Sequence, residues 1–224
     1  EYAPFSSILR GFILPKFLLE NCGAYLAAIR SIGRTEEYFY MPVFESAAMI
    51  PPQTRREALT EVRAQLVTVS GSILNIRVGG NDLSHAFGLR RPANRTIYDL
   101  RPVADILIDI VAAFGTQYVV SGPVWEYYSG EGWEEGLRRE MELDLLNGFT
   151  GKTVIHPNQI PVVNEMLRVS QRDYADARAI LNWDTGSGSL VSASEDGGRM
   201  NEYNTHSRWA RRIVLRAERY GVRA

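Results

Sequence analysis

The sequence predicts an α/β protein with a parallel sheet covered on both faces, on three observations. Short, continuously apolar runs recur along the chain, as strands buried on both sides do. Longer stretches with apolar residues at helical spacing separate them. Glycines and carboxylates mark the junctions, most clearly in Ile76-Arg77-Val78-Gly79-Gly80-Asn81-Asp82-Leu83. Alternation of this kind builds βα units, and five are visible.

In order, Gly11-Phe12-Ile13-Leu14-Pro15 reads as the first strand, followed by a helix over Asn21 to Arg30. Tyr38 to Phe44 is the second strand. Pro51-Pro52 precede a helix whose Leu59, Val62, Leu66 and Val69 form one stripe. Leu74 to Val78 is the third strand, and a polar loop follows. Val103, Ile106, Ile110 and Ala113 mark the next helix, Tyr118 to Ser121 the fourth strand. Trp133, Leu137, Met141 and Leu145 mark a further helix, and Thr153 to His156 the fifth strand. Two helical patterns then run near Val162 to Val169 and Arg172 to Asn182. Asp184 to Ser189 is polar and reads as a linker, because Gly186 and Gly188 lack the strand and Gly-Lys-Ser/Thr of a phosphate loop. The tail, Asn204 to Tyr220, is an amphipathic helix. The expected division is 1–183 for the sheet domain and 184–224 for linker and helical extension.

The 224 residues suffice for a sizeable core, and 45% apolar with 23% charged residues is globular composition. A net charge of −1 gives no field that seeks nucleic acid or anionic membrane. One cysteine, Cys22, forms no internal disulfide, and its bland reading is a small buried apolar residue. No run approaches the ~18 apolar residues of a membrane span, and Glu1 to Phe5 lacks a signal peptide's regions. The expected location is the cytoplasm.

Glu45 and Asp82 each follow a strand, where parallel α/β proteins place their chemistry. Two carboxylates with substrate and water suit one divalent magnesium. From spacing alone, two helix caps are an equal alternative. Backbone N–H groups around Gly80, Asn81 and Asp82 could hold a substrate carboxylate. Arg77 alternates with Ile76 and Val78, so it takes the opposite side of the strand from them, which in a barrel strand would be the lumen, and there it could clamp an anion. A buried pair with an acidic neighbour is its alternative. His156, with Gln159 on the turn after it, is placed for proton transfer or substrate hydrogen bonding, or for fixing the loop.

Gly151-Lys152-Thr153-Val154-Ile155-His156-Pro157-Asn158-Gln159 resembles the "G-K-x-x-I-H-P-x-Q" signature of the citrate-lyase β-subunit-like aldolase family, which includes malyl-CoA lyases. Leu14-Pro15-Lys16, Phe44-Glu45-Ser46, Gly79-Gly80-Asn81-Asp82-Leu83 with Gly88, and Gly198-Arg199-Met200-Asn201-Glu202 resemble its other motifs in order. Ser121 to Tyr128 and Met200 to Ser207 are similar to the branch associated with tellurite-resistance gene clusters. The resemblance implies a (β/α)8 TIM barrel in which the visible strands are 4 to 8, the first units being absent from this stretch. It implies magnesium on Glu45 and Asp82, Lys16 beside the substrate, and Glu202 where the family has an aspartate from a C-terminal segment. It further implies carbon–carbon bond cleavage or formation on a small 2-oxo or 2-hydroxy acid, or its CoA thioester, through a metal-stabilised enolate, in a homo-oligomer. A thioester hydrolase on the same site, or a non-catalytic binding protein, are the competing expectations.

Overall fold

Five short strands pair side by side, all parallel: β1 (Gly11–Leu14), β2 (Phe39–Phe44), β3 (Ile76–Val78), β4 (Val120–Gly122) and β5 (Gly151–Lys152). The computed structural model describes residues 8–32, 38–183, 191–194 and 197–223. Their order in the sheet is their order in the chain. A doubly wound sheet reverses direction partway; a barrel wall does not, so this progression is that of a TIM-type wall. The crossovers are α1 (Leu19–Ser31), α2 (Pro52–Leu66), α4 (Arg101–Phe114, preceded by the short α3, Gly80–Ala86) and α5 (Trp133–Leu146).

The strongest apolar stripe makes the clearest helix. Val103, Ile106, Leu107, Ile110 and Phe114 of α4 are fully buried, together with Leu59 and Val62 of α2. They meet Phe44, Ile76 and Val120 of the strands in one core. Side chains of this size each contribute roughly 1.5–3 kcal/mol on burial. Arg55, inside the same layer, is neutralised by Asp109 of α4 at 2.7 Å and donates to the Met49 carbonyl.

Four local expectations shift. Val69 lies beyond α2, at φ −131° in a run of 3-10 turns, so the stripe ends at Leu66. The fourth strand starts at Val120 rather than Tyr118. The fifth is Gly151–Lys152, not Thr153 to His156: only those two residues find partners, Ser121 and Gly122, on β4. The expected polar loop after Gly79 is the helix α3, whose Ser84 hydroxyl bonds back to the Gly80 carbonyl at 2.7 Å.

The chain divides into two compact units, Glu1–Ile160 and Pro161–Ala224. The second holds most of α6 (Gln159–Met166), then β6 (Val169–Ser170), α7 (Gln171–Leu181), β7 (Val191–Ala193), β8 (Met200–Glu202), α8 (Tyr203–Tyr220) and β9 (Val222–Arg223). Ala177 and Ile180 of α7 pack with Ala210, Ile213 and Ala217 of α8. Arg199 pairs with Asp173 at 2.9 Å and Asp176 at 2.5 Å and lies over the Trp209 ring. The expected linker, Asp184 to Ser189, falls outside the described residues. Among the described residues, no helix is long and apolar enough to cross a membrane.

Candidate active site

Strands β1, β2 and β3 deliver their C-terminal ends to one cavity of about 390 Å³. Ile13 and Pro15 line it from β1, Val43 and Glu45 from β2, and Arg77 from β3. The turn Gly79-Gly80-Asn81-Asp82 forms its floor, and Val124, Thr153 and Ile155 close the far wall. A set of residues spread over more than a hundred positions is thus gathered by parallel pairing alone.

Glu45 is held at this end by its neighbours. The Lys16 backbone N–H donates to its Oε1 at 3.0 Å. Gly79 explains the glycine at its position, because a β-carbon there would collide with the Cβ of Glu45 and lie 2.5 Å from its Oε2. The strand therefore needs glycine so that the neighbouring carboxylate can turn inward. We expect Gly79→Ala to displace Glu45 and lower divalent-metal affinity by about 10-fold or more, the range typical when a metal ligand loses its support. Calorimetric titration with Mn²⁺ tests this, and unchanged affinity would contradict the steric account.

Lys16 ends β1 with φ +49°, a left-handed conformation that side chains other than glycine rarely adopt. Its ammonium reaches Asp82 at 3.5 Å, with both groups about half exposed or more. Arg77 is half-buried and its Nη2 donates to Thr153 Oγ1 at 3.3 Å. Burial pushes the guanidinium below its usual range, and the charge of Glu45 opposes that. Its hydrogen-bonding capacity is mostly unspent, which suits it to an anionic guest.

Among the described residues there is no cluster of three or more His, Cys, Asp or Glu side chains arranged to hold a metal. A two-carboxylate site still fits magnesium, which keeps most of its shell for water and substrate. Glu45 and Asp82 both line the same cavity of about 390 Å³, which leaves space for an ion and its water. The donor set and the space both suit the ion.

Three further predicted residues make other contacts. His156 is not among the cavity-lining residues; its ring stacks on Tyr128 at 4.2 Å and its Nδ1 accepts from the Asn158 N–H at 3.2 Å. In the neutral ring the proton therefore sits on Nε2. Gln159 is fully buried, its amide nitrogen donating to the Trp125 and Tyr127 carbonyls at 2.8 Å and its oxygen accepting from the Ile155 N–H at 2.9 Å. With its amide so engaged, it ties the loops after β4 and β5 rather than facing a substrate. Glu202 belongs to the second unit, at the start of α8, where its N–H donates to His206.

Sequence reasoning missed a buried charge cluster in the first unit. Lys152 Nζ lies 2.7 Å from Glu140 and 2.8 Å from Asp144, with all three side chains essentially inaccessible. Arg91 lies 2.9 Å from the other Glu140 oxygen, an ion-pair contact without hydrogen-bond alignment at its Nε, and stacks on Trp125. The Tyr98 hydroxyl donates to Asp144 at 2.7 Å, and burial drives its pKa far upward. The signal was legible in part: Glu140 and Asp144 fall at i+3 and i+7 from Leu137, on the buried face of α5.

With this geometry in view, comparison with known proteins is decisive for family. The family described as C-C bond lyase of the TIM-barrel fold matches residues 2–222. The chain belongs to that family. Among curated relatives, the L-malyl-CoA/β-methylmalyl-CoA lyase of Cereibacter sphaeroides is 38% identical over 74 residues, which is 32% of this chain and 22% of that enzyme. Among solved structures, a citrate lyase from Burkholderia xenovorans superposes with TM-score 0.66 at 16% identity, covering 96% of this chain and 65% of that one. The CitE protein of Mycobacterium tuberculosis, solved with magnesium, acetoacetate and coenzyme A, gives TM-score 0.59 at 20% identity, covering 92% and 77%. At these identities the structural likeness speaks for the fold. The chain spans only part of the length of the relatives it matches, 22% of the malyl-CoA lyase and 65% of the Burkholderia structure.

Proposed function

We propose that this C-C bond lyase chain cleaves or forms a carbon–carbon bond next to a carbonyl in a small 2-oxo or 2-hydroxy acid or its thioester, with magnesium on Glu45 and Asp82. The observation that carries this is the convergence of those two carboxylates with Arg77 on one cavity at the strand ends, with Lys16 against both acids. The magnesium and acetoacetate of the tuberculosis CitE complex support it by analogy of fold. In this reading the five strands are the fourth to eighth of the barrel.

Bound magnesium would supply Lewis-acid stabilisation of negative charge on the substrate's carbonyl oxygen. The residues of the chain do the rest. Arg77 offers a cation to the substrate carboxylate from the strand face, and Lys16 offers a second from the rim. Gly80, Asn81 and Asp82 open α3, where backbone N–H groups lack intrahelical acceptors and can receive an oxygen anion. Ile13, Val43, Val78, Val124 and Ile155 line the cavity with apolar surface and limit water around the reacting carbon. Glu202 and His156 are the acid–base candidates, carried by the family resemblance.

The test is a retro-aldol assay over small hydroxy acids and their CoA thioesters, with and without magnesium. Magnesium-dependent release of a cleaved carbon skeleton is expected. Thioester hydrolysis with an intact skeleton would replace this reading with the hydrolase one.

A further inference from the structure

The buried cluster touches the candidate site at three points, and all three run through Arg91 or its partner. Arg91 Nη1 reaches Asn81 Oδ1 at 3.4 Å, in the turn after β3. Its Nη2 donates to the Val124 carbonyl at 2.5 Å, in the loop after β4. Asn81 and Val124 both line the cavity. Behind the guanidinium, Glu140 accepts from the Ile97 N–H at 2.8 Å. The Ile97 side chain in turn packs where a β-carbon on Gly80 would be, 2.5 Å from its Cδ1. Arg91 is 1% exposed and Glu140 fully buried, so neither meets a ligand directly.

The geometry points to Arg91, braced by Glu140, as a positioning residue that sets the spacing between the Gly79–Asp82 turn and the Val124 wall. This deepens the proposed function and rests on it for its catalytic meaning. A planar guanidinium suits the task because it bonds in several fixed directions at once, which lysine cannot imitate. The charge is balanced locally: Arg91 and Lys152 face Glu140 and Asp144, and Glu126, 3.9 Å from Arg91, is matched by Arg90 at 2.8 Å. Removing Arg91 alone would leave Glu140 competing with Asp144 for one lysine. The informative variant is therefore the charge-balanced pair Arg91→Met with Glu140→Gln, which leaves Lys152 and Asp144 matched.

The experiment compares backbone hydrogen exchange of the parent, this double variant and Arg91→Lys, beside binding of Mn²⁺ and then of pyruvate. In the double variant, peptides covering residues 79–83 and 123–125 should exchange about 10-fold faster while α4 keeps its protection, local opening being separable from global unfolding. Mn²⁺ affinity should stay within about 2-fold, since Glu45 and Asp82 are intact, and pyruvate affinity should fall about 10-fold, a spacing effect of the kind small misplacements produce. Arg91→Lys should recover neither. A folded double variant with unchanged exchange at both loops overturns the assignment, as does a uniform rise that includes α4. A parent protein that takes no Mn²⁺ would sink the metal reading, while the exchange comparison still decides the role of Arg91.

Discussion

Asp82→Asn and Glu45→Gln should each abolish magnesium-dependent turnover while leaving the fold intact. Glu45 follows β2 and Asp82 lies in the first turn of α3, both lining the cavity rather than the core, and Asp82 is half exposed, so their loss removes no buried apolar contact. What they lose is charge on the proposed magnesium site. Support residues around a metal cost roughly 10- to 100-fold in affinity when removed, and a direct ligand should exceed that range. Calorimetry with Mn²⁺ measures the affinity and circular dichroism the fold. Tight metal binding by both folded variants would remove these residues from the metal's coordination. The two substitutions should also differ. Glu45→Gln keeps an amide oxygen for the Lys16 N–H at Oε1, whereas Asp82→Asn cancels the attraction on the Lys16 ammonium.

Lys152→Met should have the largest effect on stability. The lysine is wholly buried and shared by Glu140 and Asp144. Breaking a buried ion pair by removing one partner costs about 3–5 kcal/mol, because an uncompensated charge stays behind. Urea unfolding at neutral pH should show that loss. Its pH dependence has a definite sign. Burial already pushes the Asp144 carboxyl upward, and Lys152 opposes this; without the lysine it rises further. A carboxyl whose folded pKa lies above its unfolded value of about 3.9 stabilises the fold most below that value and loses the contribution as pH climbs through the folded pKa. The variant should thus come closest to the parent in acid and fall behind it once pH climbs past the already raised pKa of Asp144 in the parent. A deficit that grows on acidification would show that Asp144 is not the group left exposed by the change.

The contrast between these two groups shows what a sequence can express. Glu45, Arg77 and Asp82 were found because each follows or alternates within an apolar strand, and a strand's period of two says which side a residue takes. Parallel pairing in chain order then brings those ends together without further information. The cluster of Arg91, Glu140, Asp144 and Lys152 carries no such local mark. Glu140 and Asp144 read as ordinary charges on a helix, and only the approach of Lys152 from β5 and Arg91 from the loop after α3 makes them interior groups. Gln159 illustrates the same limit from the other direction. Its motif was recognisable, but its role in joining the loops after β4 and β5 depends on carbonyls more than thirty residues away. Strand ends slipped where pairing, not apolarity, sets the boundary, as at Gly151–Lys152.

Lys16 turns the corner after β1 in a geometry that glycine would adopt freely and that costs a lysine about 1 kcal/mol. The same twist sends its amide hydrogen to Glu45 and its ammonium towards Asp82. One residue therefore meets the two carboxylates by main chain and side chain at once. A strained stretch of main chain thus stands beside both acids of the cavity, touching one through its amide and the other through its ammonium.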